Sequence, residues 1–256
     1  MLRILTYNVH RWVGIDRKIS PGRVAEVIAS TQAEVVALQE VRAGRSGSGE
    51  LDQAVSVARY LGMELHFQPT IRIFGEQFGL AVMTALPSRV VKSGRLPTVA
   101  SGHAIEKRSA LWVAIDCGGT ELQVVNAHLS LRSRERLAQA EALLGEDWLG
   151  HQDCHGPAVL LGDFNAPPRS RAYKLLASHL ADVQLATGLP QARPTFHTRM
   201  PLMRLDHIFV RGSVDVLSAA PIRTALARVA SDHLPLAADL KLGTAAEAQK
   251  RVGVAA

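Results

Sequence analysis

Cysteine is scarce. Cys117 and Cys154 are the only two in 256 residues, which excludes a disulfide framework and leaves free thiols as the simple reading. Aromatic residues make up 5% of the chain, too few to suggest a stacking platform for single-stranded nucleic acid. No stretch approaches the roughly 18 uninterrupted apolar residues that a membrane-spanning helix needs. The opening run Met1-Leu2-Arg3-Ile4-Leu5-Thr6-Tyr7-Asn8-Val9 lacks the basic, then apolar, then small-residue layout of a secretory signal, so the expected location is cytoplasmic. Acidic residues are outnumbered, 23 against 29 basic, for a formal charge of +6. Such a surface attracts anions of every kind: nucleic acid, acidic lipid headgroups and phosphorylated metabolites. There is no dense basic tail, only local groups such as Arg132, Arg134 and Arg136.

What is present is an ordinary globular balance, 47% hydrophobic and 20% charged, long enough for one large α/β domain or two small ones. No internal repeat or long linker interrupts it. Gly44-Arg45-Ser46-Gly47-Ser48-Gly49 reads as a surface loop, and residues 243–256 read as an alanine-rich tail, a frayed helix or disordered. Strands are expected at 2–9, 35–38, 79–84, 110–116, 121–127, 159–161, 205–210 and 234–240. Helices are expected after Ser20-Pro21 (N-cap and first helical position), from Leu51 to Leu61 with Gly62 as the stop, and after a Ser133 cap. Alternating strands and helices, with several strands apolar on both faces, point to α/β layers with the helices outside.

The chemistry gathers at the strand ends. Tyr7-Asn8, Gln39-Glu40, Asn126-Ala127-His128, Gly162-Asp163-Phe164-Asn165 and Asp206-His207 each adjoin a strand, and Ser231-Asp232-His233 precedes the last one. One rim of an α/β sheet is where such folds assemble sites from distant sequence. Acids and amides hold a hard cation, and histidines move protons or polarise a phosphoryl oxygen. Each cluster alone reads as a turn; the ordered set is the signal.

That set, Thr6-Tyr7-Asn8-Val9, Leu38-Gln39-Glu40-Val41, Asn126-Ala127-His128-Leu129, Gly162-Asp163-Phe164-Asn165, Arg204-Leu205-Asp206-His207-Ile208-Phe209 and Ser231-Asp232-His233-Leu234-Pro235, resembles the endonuclease/exonuclease/phosphatase superfamily, in its compact bacterial form. The motifs run from residue 4 to 236, so the resemblance implies one domain, placed at residues 1–242. It also implies a four-layer sandwich of two mixed β-sheets packed face to face with helices outside.

By the same resemblance, Glu40 is the principal metal ligand, with Asn8 and Asp232 completing the metal or phosphate environment. An all-oxygen site suits Mg²⁺, or Mn²⁺, better than zinc. His233 faces the scissile phosphate, Asp206 orients its ring, Asp163 and Asn165 position the attacking water, and His128 donates to the developing charge. The implied reaction is in-line attack by water on a phosphate ester, in which positioning and charge neutralisation carry the barrier reduction. Whether one or two metals act, and whether His233 or Asp163 takes the proton, stays open.

Three features depart from the pattern. His10 stands where relatives vary and either touches substrate or caps the strand. His207 replaces a more usual tyrosine and is expected to pack away from the site, because successive strand side chains point to opposite faces. His151, Cys154 and His155 have the spacing of a zinc clip, although a Gly/Pro-bounded loop is the simpler account. For substrate, a lipid headgroup or other small phosphodiester ranks first, with peripheral contact to anionic lipid, and a DNA endonuclease or exonuclease second. A catalytically inactive module that binds nucleic acid or protein is the alternative of another class. A monomer is expected.

Overall fold

A computed structural model of the chain describes residues 1–45, 52–99, 107–188 and 192–243. Period-two alternation in strands that are apolar on both faces sets the layers. In β1 (Leu2–Asn8) and β2 (Val35–Arg45), Ile4, Val35 and Ala37 face one way while Leu5, Val36 and Leu38 face the other. The second set packs on α1 (Pro21–Thr31) and α2 (Gln53–Leu61), through Val24, Val27, Ile28 and Val57. The first set packs against a second sheet.

That partner sheet is built from β5 (Ser88–Arg95), β6 (Ser109–Asp116), β7 (Glu121–His128), β8 (Ala158–Asp163), β9 (Ala181–Asp182) and β10 (Asp206–Arg211), in the order β5-β6-β7-β8-β10-β9. The first sheet adds β3 (Glu64–Ile73), β4 (Glu76–Thr84), β11 (Val214–Pro221) and β12 (Leu236–Leu242), in the order β11-β12-β1-β2-β4-β3. Each sheet is mixed, with one parallel pair at its centre, β1 with β2 and β7 with β8. Val113, Val124, Val159, Leu161 and Ile208 fill the space between the sheets. Leu143, Phe164, Leu176 and Phe209 fill the space under α3 (Ser133–Leu144) and α4 (Arg171–His179). Short α5 (Val183–Ala186) and α6 (Ala227–Ala230) complete the chain. The expected four-layer arrangement, helix, sheet, sheet, helix, is therefore present.

Helix starts follow their capping chemistry, with two corrections. Ser20 Oγ accepts the Arg23 N–H at 3.3 Å, and Pro21 occupies the first turn. The helix expected from Leu51 begins at Gln53, because Asp52 accepts the Ala54 N–H at 2.8 Å; it ends at Gly62 with φ +66°. Leu51 lies outside the described residues, as do 46–49 of the Gly/Ser stretch and 244–256 of the tail. Ser133 is the first residue of α3 and not its cap. The serine that organises this turn is Ser130, whose Oγ accepts the Arg132 N–H at 3.1 Å and donates to Glu135 at 3.0 Å.

Between the sheets lies one polar rung. Gln39 Nε2 donates to Thr6 Oγ1 at 3.1 Å and to Asn126 Oδ1 at 2.8 Å, while Asn126 Nδ2 donates to the carbonyls of Leu38 and Ala81, both at 2.9 Å. All three side chains are buried, where unmade hydrogen bonds are costly, so the rung fixes how the sheets register at the rim carrying the polar clusters. Gln39 and Asn126 thus hold the platform rather than line the site.

Candidate active site

A β-bulge aims the first acid. The pairing of β2 with β4 slips between Leu38 and Val41, and Glu40 sits in the bulge at φ +54°. Bulges re-aim side chains next to sites; here Gln39 turns inward to the rung and Glu40 turns to the rim. Glu40 keeps 24% of its side-chain exposure. It is held loosely, by Asn8 Nδ2 at 3.2 Å and by Arg11 Nε at 3.9 Å. The same Asn8 Nδ2 donates to Asp163 Oδ2 at 2.9 Å, and Asn8 Oδ1 accepts the His10 N–H at 3.0 Å. One amide therefore positions both carboxylates.

Asp163 ends β8 directly across from Asp206, which begins β10. Gly162 precedes it at φ +147°, where an added Cβ would stand 1.8 Å from the Ala127 carbonyl oxygen, so only glycine allows β8 this close to β7. Asp206 Oδ2 accepts from His233 Nδ1 at 2.8 Å and from Thr195 Oγ1 at 2.5 Å. His233 Nε2 lies 3.7 Å from Asp163 Oδ2. The imidazole thus stands between two buried carboxylates. Burial alone would lower its pKa, but Asp206 and then Asp163 outweigh this and raise it to about 10. Burial pushes Asp163 up to about 6, with Asp206 acting in the same direction and His233, Asn8 and the Asn165 N–H opposing. Among the described residues, Asp163, Asp206 and His233 are the one group of three whose candidate ligand atoms lie within 4.8 Å of one another, so they also form a candidate metal site.

His128 ends β7 and takes the opposite charge state. Burial first, then Arg108 and His233, hold its pKa well below the ordinary 6.5. Arg108 Nη1 lies 3.0 Å from His128 Nδ1. A guanidinium can only donate, so Nδ1 carries the lone pair and the proton sits on Nε2. Asn165 Nδ2 donates to the Leu129 carbonyl at 3.0 Å and lies 3.2 Å from His128 Nε2. His128 Nε2 thus sits between Asn165 Nδ2 and Asp163 Oδ2, the latter at 3.5 Å.

Asp232 stands on the other flank, partly exposed, with Oδ1 3.3 Å from Ser231 Oγ and 3.8 Å from His10 Nδ1. Ser231 Oγ also donates to the Asn8 carbonyl at 2.8 Å and accepts the His233 N–H at 3.2 Å, tying this flank to β1. Every candidate from the rim clusters is thereby gathered at one end of the sandwich. Arg108, Arg11 and Thr195 join them although no motif pointed to them. Arg108 immediately precedes β6 and Arg11 lies in the turn after β1, whereas Thr195 adjoins no strand.

The departures resolve by packing. His207 is fully buried, stacks on Phe164 at 5.9 Å, bonds the Ala166 carbonyl at 2.8 Å and stays out of the site. His10 bonds the Val13 carbonyl at 3.1 Å in the turn after β1. His151 packs edge-on against Trp112, and Cys154 Sγ accepts from Arg211 at 3.5 Å. Among the described residues, no metal-ligating cluster forms there.

Residues 5–233 match the Endonuclease/Exonuclease/phosphatase family, and the chain belongs to it. Members of this family hydrolyse phosphoesters as nucleases, phosphatases and phosphodiesterases, and they generally depend on a divalent metal. The chain is 27% identical over 259 residues to the uncharacterised protein YbhP of Escherichia coli K12, covering 94% of this chain and 96% of that one. It superposes on an endonuclease/exonuclease/phosphatase from Beutenbergia cavernae with a TM-score of 0.76 at 26% identity, covering 95% of this chain and 72% of the other. The mannosyl-6-phosphatase Bt3783 of Bacteroides thetaiotaomicron shares the fold, with a TM-score of 0.71 at 20% identity, 94% of this chain and 100% of that one. No helix among the described residues is long and apolar enough to cross a membrane.

Proposed function

We propose that the chain is a Mg²⁺-dependent phosphodiesterase, with Mn²⁺ as a substitute, acting on a lipid headgroup or another small phosphodiester. The observation that carries this reading is the placement of two histidines at one rim with Glu40, His233 between the carboxylates of Asp206 at 2.8 Å and Asp163 at 3.7 Å, and His128 beside the Arg108 guanidinium at 3.0 Å.

The donor chemistry fits a hard cation at Glu40. Its carboxylate is partly exposed and only loosely engaged, an oxygen donor suited to a hard cation, while Asn8 turns its Nδ2 to this carboxylate and its Oδ1 to the His10 N–H. The alternative position, among Asp163, Asp206 and His233, is less suited. There the positive charge is already supplied by the His233 proton, and both carboxylates are engaged by short hydrogen bonds. In the arrangement seen, Asn8 serves the cation by orienting Glu40. A bound divalent cation supplies positive charge to a non-bridging phosphate oxygen.

The chain's own groups do the rest. Asp163, with its pKa near 6, is ionised at neutral pH and basic enough to take a proton from a water in line with the phosphorus. Asn165 borders that position. His233 offers a fixed cation to the charge that builds on the phosphoryl oxygens, and Asp206 keeps that cation protonated and oriented. His128 donates from Nε2 without bringing a net charge. Metal-dependent turnover of bis-p-nitrophenyl phosphate tests the reaction, and its absence would favour a module that only binds.

The loops beside this rim favour a lipid or small substrate. Leu131, three residues past His128, is 72% exposed, and Met200 and Leu202 are 67% and 73% exposed. The latter two lie in the turn between Phe196 and Met203, and Phe196 also bridges to His233. Exposed aliphatic side chains around a polar site, on a protein of charge +6, suit peripheral contact with an anionic lipid surface. A parallel turnover screen on phospholipids, inositol phosphates, plasmid DNA and abasic oligonucleotide ranks the substrates. DNA binding is expected to be weak and steeply salt-dependent. Efficient nicking of plasmid at ~150 mM salt, where surface charges are well screened, would put the nuclease first.

A further inference from the structure

The turn after β1 is built with more care than the reaction requires. His10, Arg11 and Trp12 all lie at positive φ, 43°, 57° and 66°, a conformation that costs energy for side chains of this size. Trp12 is fully buried and donates to the Arg42 carbonyl at 2.7 Å, which holds the turn in place. Val13 then bridges to Ile19, closing a small loop. The Gly14 N–H donates to the Lys18 carbonyl and the Ile15 N–H to the Val229 carbonyl, both at 3.0 Å. Asp16 accepts from both terminal nitrogens of Arg23 at 3.1 Å. A Cβ at Gly14 would stand 2.5 Å from the Val229 carbonyl oxygen. Gly14, Asp16 and Arg23 thus fix the loop, and what the loop presents is Arg17, exposed and itself at φ +64°.

Opposite stands the turn containing His197 and Arg199. It is tied to the reacting centre by the Thr198 N–H to the Asp232 carbonyl at 3.0 Å and by the Phe196 ring 4.8 Å from that of His233. His10, Arg17, His197, Arg199 and Asp232 line one cleft together with Val13 and Ile15. Neither Arg17 nor Arg199 makes a side-chain hydrogen bond or ion pair among the described residues. Two uncommitted guanidinium groups and two imidazoles face a single carboxylate, Asp232, which also borders the site beside His233. Guanidinium pairs of this kind are suited to phosphate oxygens.

We infer that this cleft is a subsite for a second phosphate group of the substrate, joined by a short linker to the phosphate that is hydrolysed. The inference rests on the phosphoesterase reading and narrows its substrate class to esters carrying two phosphates. Nucleotides and lipid headgroups both offer that chemistry, and matched substrate pairs separate them.

The test uses the full chain with Mg²⁺ and the variant Arg17→Gln/Arg199→Gln. The first pair is thymidine 3′-phosphate 5′-(p-nitrophenyl phosphate) against thymidine 5′-(p-nitrophenyl phosphate). The second is phosphatidylinositol 4-phosphate against phosphatidylinositol in mixed micelles. In at least one pair the wild type is expected to prefer the two-phosphate member in kcat/KM by roughly tenfold to a hundredfold, the effect of losing charge-assisted hydrogen bonds. The variant should lose that preference through KM while handling the single-phosphate member as before. No preference by the wild type in either pair, or a preference that survives in the variant, overturns the subsite. If no substrate is turned over, the phosphoesterase reading fails separately. The cleft is then judged by calorimetric binding of thymidine 3′,5′-bisphosphate, where equal affinity for wild type and variant overturns it and weaker binding by the variant supports it.

Discussion

Arg108 Nη1 lies 3.0 Å from Nδ1 of His128, and both side chains are buried. The guanidinium fixes which ring nitrogen carries the proton and adds to the burial that keeps the imidazole neutral. Arg108→Met should therefore raise the His128 pKa, although burial still holds it below 6.5, and should leave Nδ1 free to take the proton. Turnover is expected to fall about tenfold to a hundredfold, because a transition-state donor is then misdirected. Arg108→Lys, which still donates, should lose less. Nitrogen chemical shifts of the His128 ring report the tautomer directly. An unchanged Nε2–H tautomer in Arg108→Met would show that the arginine has no such role.

The charged histidine gives a pH signature to stability. The folded-state pKa of His233 is raised from 6.5 to about 10, so the folded protein binds this proton more tightly than the unfolded chain. Its contribution is fully present below pH 6.5 and is lost as pH rises from 6.5 through about 10. Asp163, raised from 3.8 to about 6, changes in a lower window and does not interfere. In EDTA, the stability of the wild type should fall across pH 6.5 to 10 by at most about 1.4 kcal/mol per pH unit. His233→Gln should show a shallower fall. Denaturant titrations at several pH values check this, and parallel curves for the two proteins would refute the raised pKa.

The strand ends were legible because each chemistry-bearing cluster directly adjoins an apolar run, and tertiary folding only had to bring the ends together. Packing decided what local pattern left undecided. Gln39 and Asn126 sit in the same clusters as Glu40 and His128, yet they point between the sheets and join them. The reading of His207 succeeded because strand alternation is a local rule. β3, β5 and β11 gave little signal because they are sheet edges, and edge strands carry polar, partly exposed residues in place of an apolar alternation. Arg108 was invisible for a different reason. An arginine just before β6 looks like any exposed strand-end residue until folding buries it against His128.

Glu40→Gln should separate metal affinity from folding. The amide oxygen can still accept from Asn8, and the side chain is partly exposed in a bulge, so the thermal midpoint should stay near that of the wild type. The charge opposing the cation is lost. The Mg²⁺ concentration for half-maximal activity should rise by at least about tenfold, with partial recovery of rate at saturating metal. Equal turnover by variant and wild type at limiting Mg²⁺ would remove Glu40 from the metal's surroundings and return attention to Asp163 and Asp206.

His233 and Asp206 should behave as one unit. Asp206 reaches the phosphate only through the ring it orients, with the 2.8 Å bond at Nδ1 setting both the direction and the charge of the imidazole. Thr195 fixes the carboxylate in turn, at 2.5 Å. Either His233→Ala or Asp206→Ala is expected to slow turnover by roughly a hundredfold to ten-thousandfold. Once the ring is gone, the carboxylate has nothing left to orient, so removing it as well should cost little more. The double variant should be about as slow as the slower single one. Asp206→Asn adds a control: Thr195 can still bond to it, but the negative charge that keeps His233 protonated is gone, so its activity should be lost at lower pH than that of the wild type. Losses that multiply across the cycle would mean that the two groups act separately. In that case Asp206 would be better read as a ligand in the metal cluster with Asp163 than as the partner of the histidine.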